Sequence, residues 1–182
     1  MYYKFTVYLS DKDYLDYNVF WNIRSPYGKK QMLTLRITLT VFFLVLSFCS
    51  LYFNNFSTTA IIGSIVYLAV FALVQALFNS FFIRCLKGQL KSLKKKGKMG
   101  YSPVSEMEFY EESFIEITPD SSTSQKYSSI ERVSIITSKV IYLHLNTVTS
   151  CILPLSCFNS KEQYDAFLTF LKTRCSSIDV YN

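Results

Sequence analysis

The stretch LTLRITLTVFFLVLSFCSLYF (Leu33 to Phe53), followed after NNFSTT (54–59) by AIIGSIVYLAVFALVQALFNSFFI (Ala60 to Ile83), decides how the rest of the chain is read. Thirteen of the first twenty-one residues are Leu, Ile, Val or Phe. Each gains about 0.3 to 0.6 kcal/mol at mid-bilayer, so the segment inserts favourably by about 4 to 8 kcal/mol. At its helical rise it covers about 31 Å, against a hydrocarbon core of about 30 Å. The second segment is slightly longer and spans with some tilt. The pattern predicts a two-helix transmembrane hairpin over 33–83, with spans 33–53 and 60–83 and a short turn between them.

Working outward, both flanks of this hairpin are basic and its turn is not. No acidic residue occurs between Asp16 and Glu106. Arg24, Lys29, Lys30 and Arg36 lie on the amino-terminal side, and Arg84, Lys87, Lys91, Lys94, Lys95, Lys96 and Lys98 on the carboxy-terminal side. The positive-inside rule then orients both termini toward the cytoplasm and residues 54–59 outside, in the plasma or inner membrane. Those charges account for the net charge of +6 and the isoelectric point near 9.0, since the segments on either side are mildly acidic. Nucleic-acid binding needs a basic surface on a folded domain, so it is not expected.

Residues 1–32 read as a cytoplasmic strand and helix. Tyr3, Phe5, Val7 and Leu9 alternate with polar or outward positions, which is strand periodicity over Met1 to Leu9. Ser10 with Asp13 three residues later is a helix start, and a helix is expected from Asp11 to Ile23. Pro26 and Gly28 are expected to break it before the membrane. A lone strand is unstable, so Met1 to Leu9 calls for pairing with the sheet formed after the hairpin.

Within the second span Ala72, Gln75, Ala76 and Asn79 share one helical face, where small residues permit close approach and amides bond across helices. Such a face suits helix–helix contact, either with Thr40, Ser47 or Ser50 of the first span, with a second copy of the chain, or with another membrane protein. Residues 84–103 read as a basic amphipathic linker helix. Leu86, Leu90 and Leu93 recur at helical spacing, and Lys87, Lys91, Lys94, Lys95, Lys96 and Lys98 supply charge suited to anionic lipid headgroups, each worth about 1 kcal/mol near such a surface. The same lysines serve as topology signals.

Residues 104–182 read as a cytoplasmic β domain closed by a helix. Strands are expected at Val104 to Tyr110, Ser113 to Thr118, Gln125 to Ile130, Arg132 to Thr137, Val140 to Leu145 and Ser150 to Leu153, with Pro119 to Ser124 a loop and Asn146 with Thr147 a turn. Asn159 or Ser160 caps a final helix, with Glu162 and Gln163 at box distance and Tyr164, Phe167, Leu168 and Leu171 as its buried stripe. The fold class is therefore an α+β membrane protein: a transmembrane hairpin carrying an antiparallel β-barrel or sheet domain.

The order Glu108-Phe109-Tyr110-Glu111-Glu112, Tyr127-Ser128-Ser129-Ile130-Glu131-Arg132-Val133, Tyr142-Leu143, Ile152-Leu153-Pro154 and Phe158 resembles the YcxB-like bacterial membrane proteins, and Asp13-Tyr14-Leu15 ahead of two spans extends the likeness. The resemblance implies a carboxy-terminal domain similar to a pleckstrin-homology-like barrel. The chain departs from the family pattern at Tyr127, where Trp is usual, and at Leu155 and Ser156, where a basic pair is usual.

No nucleophile, base or metal constellation stands out, so no enzyme activity, cofactor or metal is expected. His144, between Leu143 and Leu145, reads as a packed or surface residue. Asp11, Asp13 and Asp16 read as helix-start acids. Cys49, Cys85, Cys151, Cys157 and Cys175 lack metal-ligand spacing and read as free thiols. The expected function is that of a membrane-anchored binding or adaptor module that recruits or regulates a protein or lipid partner. The alternative is an accessory or immunity-type subunit docking another membrane protein through its spans.

Overall fold

Strand β1 (Tyr3–Tyr8) finds its partner beyond the apolar block, in β2 (Val104–Phe109). The two pair antiparallel, from Tyr3 opposite Phe109 to Tyr8 opposite Val104. In the computed structural model, which describes residues 1–137, 139–146 and 149–181, the chain forms two compact units. Met1–Tyr17 joins the chain from Lys98 onward in one, and Asn18–Gly97 forms the other.

The first unit is α+β, with two four-stranded sheets. One has the order β1-β2-β3-β4, where β3 is Ser113–Ile117 and β4 is Ser122–Lys126. The other has the order β7-β6-β5-β8, from β5 (Arg132–Ile136), β6 (Val140–His144), β7 (Ser150–Pro154) and β8 (Ile178–Tyr181). Alternation puts Phe5, Val7, Met107, Phe109 and Phe114 of the first sheet in one core with Val133, Ile135, Ile141, Leu143 and Leu153 of the second. Phe167 and Leu171 of the last helix, Lys161–Arg174, complete that core. Phe167 lies 5.0 Å from the Phe5 ring and 4.8 Å from the Phe109 ring, both edge-on, the geometry aromatic quadrupoles favour.

Local signals explain the element ends. Ser10 N donates to Asp13 Oδ2 at 2.9 Å and Asp13 N donates to Ser10 Oγ at 3.2 Å, which starts α1 (Asp11–Val19). Gln163 N donates to Ser160 Oγ at 3.2 Å and Asn159 N to Gln163 Oε1 at 2.7 Å, the reciprocal cap of the helix at Lys161–Arg174.

Three sequence expectations for this unit are corrected. Pro119 to Ser124 is not wholly a loop: Ser122 onward pairs along β3, with Ser122 opposite Ile117 and Lys126 opposite Ser113, and short Ser and Thr side chains tolerate that exposed edge. Of the strand expected at Gln125 to Ile130 only Gln125 and Lys126 are strand, as the end of β4, because Tyr127–Ser129 forms a tight helical turn whose Tyr127 Oη donates to the Tyr110 carbonyl at 2.9 Å. The helix is not the last element. β8 follows it and pairs parallel with β5, Val133 opposite Ile178, so the second sheet is mixed. The expected turn at Asn146 and Thr147 falls in part outside the described residues.

The second unit holds two long helices, α2 (Pro26–Phe53) and α3 (Thr58–Lys95); the helix at Lys161–Arg174 is α4. The helix expected over Asp11 to Ile23 ends as α-helix at Val19 and widens into a π-turn over Phe20–Arg24. The preceding helix does end before Pro26, at Arg24 with Ser25 extended, and Pro26 in addition starts α2, with Gly28 inside it. The proline occupies the first turn, where its missing N–H costs nothing, and Ser25 Oγ accepts from Gly28 N at 2.9 Å. Gly28 is required by closeness: a Cβ there would collide with the carbonyl of Trp21 and the backbone of Asn22. Asn55 and Phe56 adopt left-handed φ values of 48° and 52° between the helices. Gly97, at φ +65°, follows the end of α3, the usual place for glycine beyond a helix terminus.

Phe43 stacks on Phe71 with centroids 4.5 Å apart and meets Tyr67 at 5.2 Å, while Ser47 and Ser64 are buried. The remaining faces are apolar and outward. Leu33, Val41, Phe42 and Phe48 of α2, and Ile65, Val70, Leu73 and Phe81 of α3, are each more than half exposed. Both helices are long and apolar enough to cross a membrane.

Candidate functional site

The lysines expected to meet anionic lipid occupy the last turns of α3 and its exit. Lys87, Lys91, Lys94, Lys95, Lys96 and Lys98 are all exposed, and Leu86 and Leu90 between them are half-buried. Lys94 and Lys95 lie at the negative end of the helix dipole, which favours their charge. They line one stretch of helix and its exit.

The face expected to make helix contacts is divided. Ala72 and Ala76 are exposed, Gln75 is half-buried, and Asn79 Oδ1 accepts from Arg36 Nη2 of α2 at 3.0 Å. The Gln75 side-chain nitrogen is buried with no hydrogen-bond partner. Ser47 and Ser50 instead line a notch of about 380 Å³ near the connecting turn with Leu46, Gly63, Ser64 and Tyr67.

In the α+β unit, two arrangements stand out. His144 is buried on the side of the second sheet facing away from the main core, with its Nδ1 2.9 Å from Ser150 Oγ and its Nε2 3.0 Å from Ser134 Oγ. Tyr17 of α1 donates to Ser150 Oγ at 2.8 Å, and its ring meets Tyr142 at 5.2 Å. Burial, helped by Arg132 nearby, pushes the imidazole pKa down to about 4. A neutral imidazole wedged between two hydroxyls and roofed by tyrosine joins α1 to the sheet. It lacks the access to solvent that proton transfer to a substrate requires.

The second arrangement is an open concavity of about 570 Å³ lined by Leu155, Ser156, Phe158, Ser160, Lys161 and Tyr164. Its volume is in the range of small-ligand sites, about 300–1,000 Å³. The tight turn Leu155–Cys157 and the start of α4 form its walls. Phe158 stands edge-on to Tyr164 at 5.2 Å and packs on Phe5 at 4.8 Å, so its floor is rooted in the core. Apolar walls with one ammonium at the rim suit a partner group that is apolar with an acceptor. Sequence reasoning noticed Leu155 and Ser156 only as departures from a basic pair; a concavity depends on how the turn meets the helix, which spacing does not encode.

Elsewhere burial controls the titratable groups. Desolvation raises the Glu116 pKa, and the Cys151 thiol donates to Glu116 Oε2 at 3.6 Å. Burial raises the thiol pKa of Cys151, pushes that of Cys157 up to about 12 and that of Cys175 up to about 11, so these are poor nucleophiles. Cys85 is exposed and Cys49 half-buried; among the described residues all five cysteines are free thiols. Among those residues no three His, Cys, Asp or Glu side chains gather as a metal site.

Compared with known families, residues 109–171 match the family model of the YcxB-like protein, so the resemblance drawn from the motifs between Glu108 and Phe158 is borne out over that segment. The match takes in β3 to β7, the concavity and most of α4. No curated protein and no solved structure matches the chain.

Proposed function

We propose that this chain, which carries a YcxB-like segment, is a non-enzymatic binding module anchored in the cytoplasmic membrane by α2 and α3, with its α+β unit at the inner surface recruiting or regulating a protein or lipid partner. The observation that carries the reading is the outward apolar surface of both long helices. Exposing side chains such as Leu33, Phe48, Ile65 and Phe81 to water would cost about 25 cal/mol per Å², whereas a bilayer accepts them. The basic flanks and uncharged turn support termini in the cytoplasm. The two four-stranded sheets and α4 are compatible with a pleckstrin-homology-like domain, and the concavity at Leu155, Phe158 and Lys161 supports placing the partner site on it.

A second reading, a subunit that docks another membrane protein through its helices, draws on the exposed Ala72 and Ala76, which leave room for close approach of a foreign helix. Two experiments separate and test these. Cysteine placed at Asn55 in a cysteine-free variant should react with an impermeant maleimide added to whole cells, while cysteine at position 2 should not; labelling at position 2 would overturn the orientation. Partners captured by crosslinking in intact membranes should be lost on Phe158→Ala under the first reading, and on Ala72→Leu with Ala76→Leu under the second.

A further inference from the structure

Arg36 is the only charged residue between Lys30 and Arg84, and it is set in an apolar helix. Two residues of α3 hold its guanidinium. Nη2 donates to Asn79 Oδ1 at 3.0 Å, and Cζ lies 5.4 Å from the centroid of the Phe78 ring. A neutral amide and a ring face orient the charge without cancelling it. No carboxylate exists in the helical unit to do so, because no Asp or Glu occurs between Asp16 and Glu106. A guanidinium has five N–H donors in a planar fork, and the bond to Asn79 engages one of them.

The level of this group in the hairpin identifies its counter-charge. Arg36 stands three residues, about 4.5 Å of rise, inside the Leu33 end of the apolar run, and Asn79 stands four residues, about 6 Å, inside the Ile83 end. Both ends face the same side, since the helices are antiparallel about the turn at 54–57. Leu33 and Ile37 beside Arg36 are 59% and 55% exposed, so the flanking surface is apolar and open. A charged chain this close to the boundary reaches toward the interface, where the abundant anion is the lipid phosphodiester.

We infer that Arg36, positioned by Asn79 and Phe78, binds the phosphate of an anionic phospholipid in the cytoplasmic leaflet. The inference rests on the two-span reading. It differs from the lysine stretch of α3 in kind: those exposed ammoniums attract an anionic surface diffusely, whereas the Arg36 fork offers paired donors to one phosphate.

The full chain, extracted in mild detergent and exchanged into nanodiscs of phosphatidylglycerol and phosphatidylcholine, tests this by native mass spectrometry of retained lipid. Phosphatidylglycerol retention should fall about fivefold in Arg36→Gln, the factor for one cationic contact of about 1 kcal/mol. Asn79→Leu should lose retention as well, and Gly63→Ala, where an added Cβ meets nothing, should keep it. Equal retention by Arg36→Gln and the unmodified chain overturns the site while leaving the hairpin in the membrane. Displacement of the lipid by millimolar inorganic phosphate assigns the site to a free anion and overturns it too. Recovery of the chain in the soluble fraction without detergent is a separate result, and it overturns the span reading together with the inference.

Discussion

Tyr17 reaches Ser150 across 133 residues of chain, its phenol donating to the serine hydroxyl at 2.8 Å. Ser150 Oγ is in turn 2.9 Å from His144 Nδ1, so one tyrosine ties α1 to β6 and β7. Tyr17→Phe keeps the ring against Tyr142 and removes the bond. It should destabilise the α+β unit by about 1 kcal/mol, and Tyr17→Ala by about 3 kcal/mol or more. Hydrogen exchange of the β6 and β7 amides in detergent micelles measures both; equal protection in Tyr17→Ala would show that the contact contributes nothing.

His144 makes stability depend on pH. Its folded pKa of about 4 is below the ordinary 6.5, so between those values the unfolded chain binds a proton that the folded chain refuses. Stability therefore rises with pH through this window, and on falling from pH 6.5 to 4 the loss is on the order of 3 kcal/mol. Above pH 6.5 the histidine has no pH effect. Glu116, with its raised pKa, acts in the opposite sense at acid pH, so the difference between the unmodified chain and His144→Gln isolates the histidine. Parallel pH dependence in the two would refute the assignment.

Phe167 joins both sheets through α4. Phe167→Ala should cost about 3–5 kcal/mol, as for other large aromatic deletions in cores. Because Phe167 meets Tyr3 at 5.3 Å and Phe5 at 5.0 Å, β1 should lose exchange protection before the second sheet does.

Gly28 and Gly63 make a matched pair within the helices. Gly28→Ala drives a methyl into the backbone of Trp21 and Asn22 and should cost about 1–3 kcal/mol by overpacking. A Cβ at Gly63 meets nothing, so Gly63→Ala should stay within about 0.5 kcal/mol. Limited proteolysis between Phe20 and Pro26 reports the difference as faster cutting in Gly28→Ala alone.

Exposure and thiol pKa order the cysteines. In the folded chain Cys85 should react with N-ethylmaleimide first, while Cys151 and Cys175 should react only after denaturation. Peptide mapping of the alkylated protein checks the order, and early labelling of Cys151 would show that its strand opens.

Much of this architecture was legible in the residues because it rests on local periodicity. Tyr3, Phe5 and Val7 alternate, Ser10 and Asp13 cap, Ser160 and Gln163 cap, and the apolar runs are long. What stayed hidden depends on distant partners. Ile178 to Tyr181 is too short to read as a strand, and β5 fixes it through bonds such as Val133 N to Ser177 O at 2.8 Å and Thr137 N to Tyr181 O at 2.9 Å. Ser122 to Lys126 is polar and becomes a strand only along β3. Pro26 is legible as the stop it makes after Arg24, but not as the start of α2, for which its fixed φ serves equally and the deciding partner, Ser25, lies before it. Of the candidate sites, the lysines were readable because charge needs no tertiary context. The concavity was not, and neither was the His144 bridge, whose serines come from two other strands.

The register of Tyr3 against Phe109 has a bearing on biosynthesis. A ribosome delivers the amino-terminal strand long before the strand it must lie against, and under the two-span reading the intervening chain has by then been handed to the lipid. The edge of the first sheet is consequently laid down last in assembly although it is made first. A chain whose hairpin stalls on the way into the bilayer would keep Phe5 and Val7 uncovered, presenting to chaperones and proteases a greasy, unpaired leader that marks failed insertion.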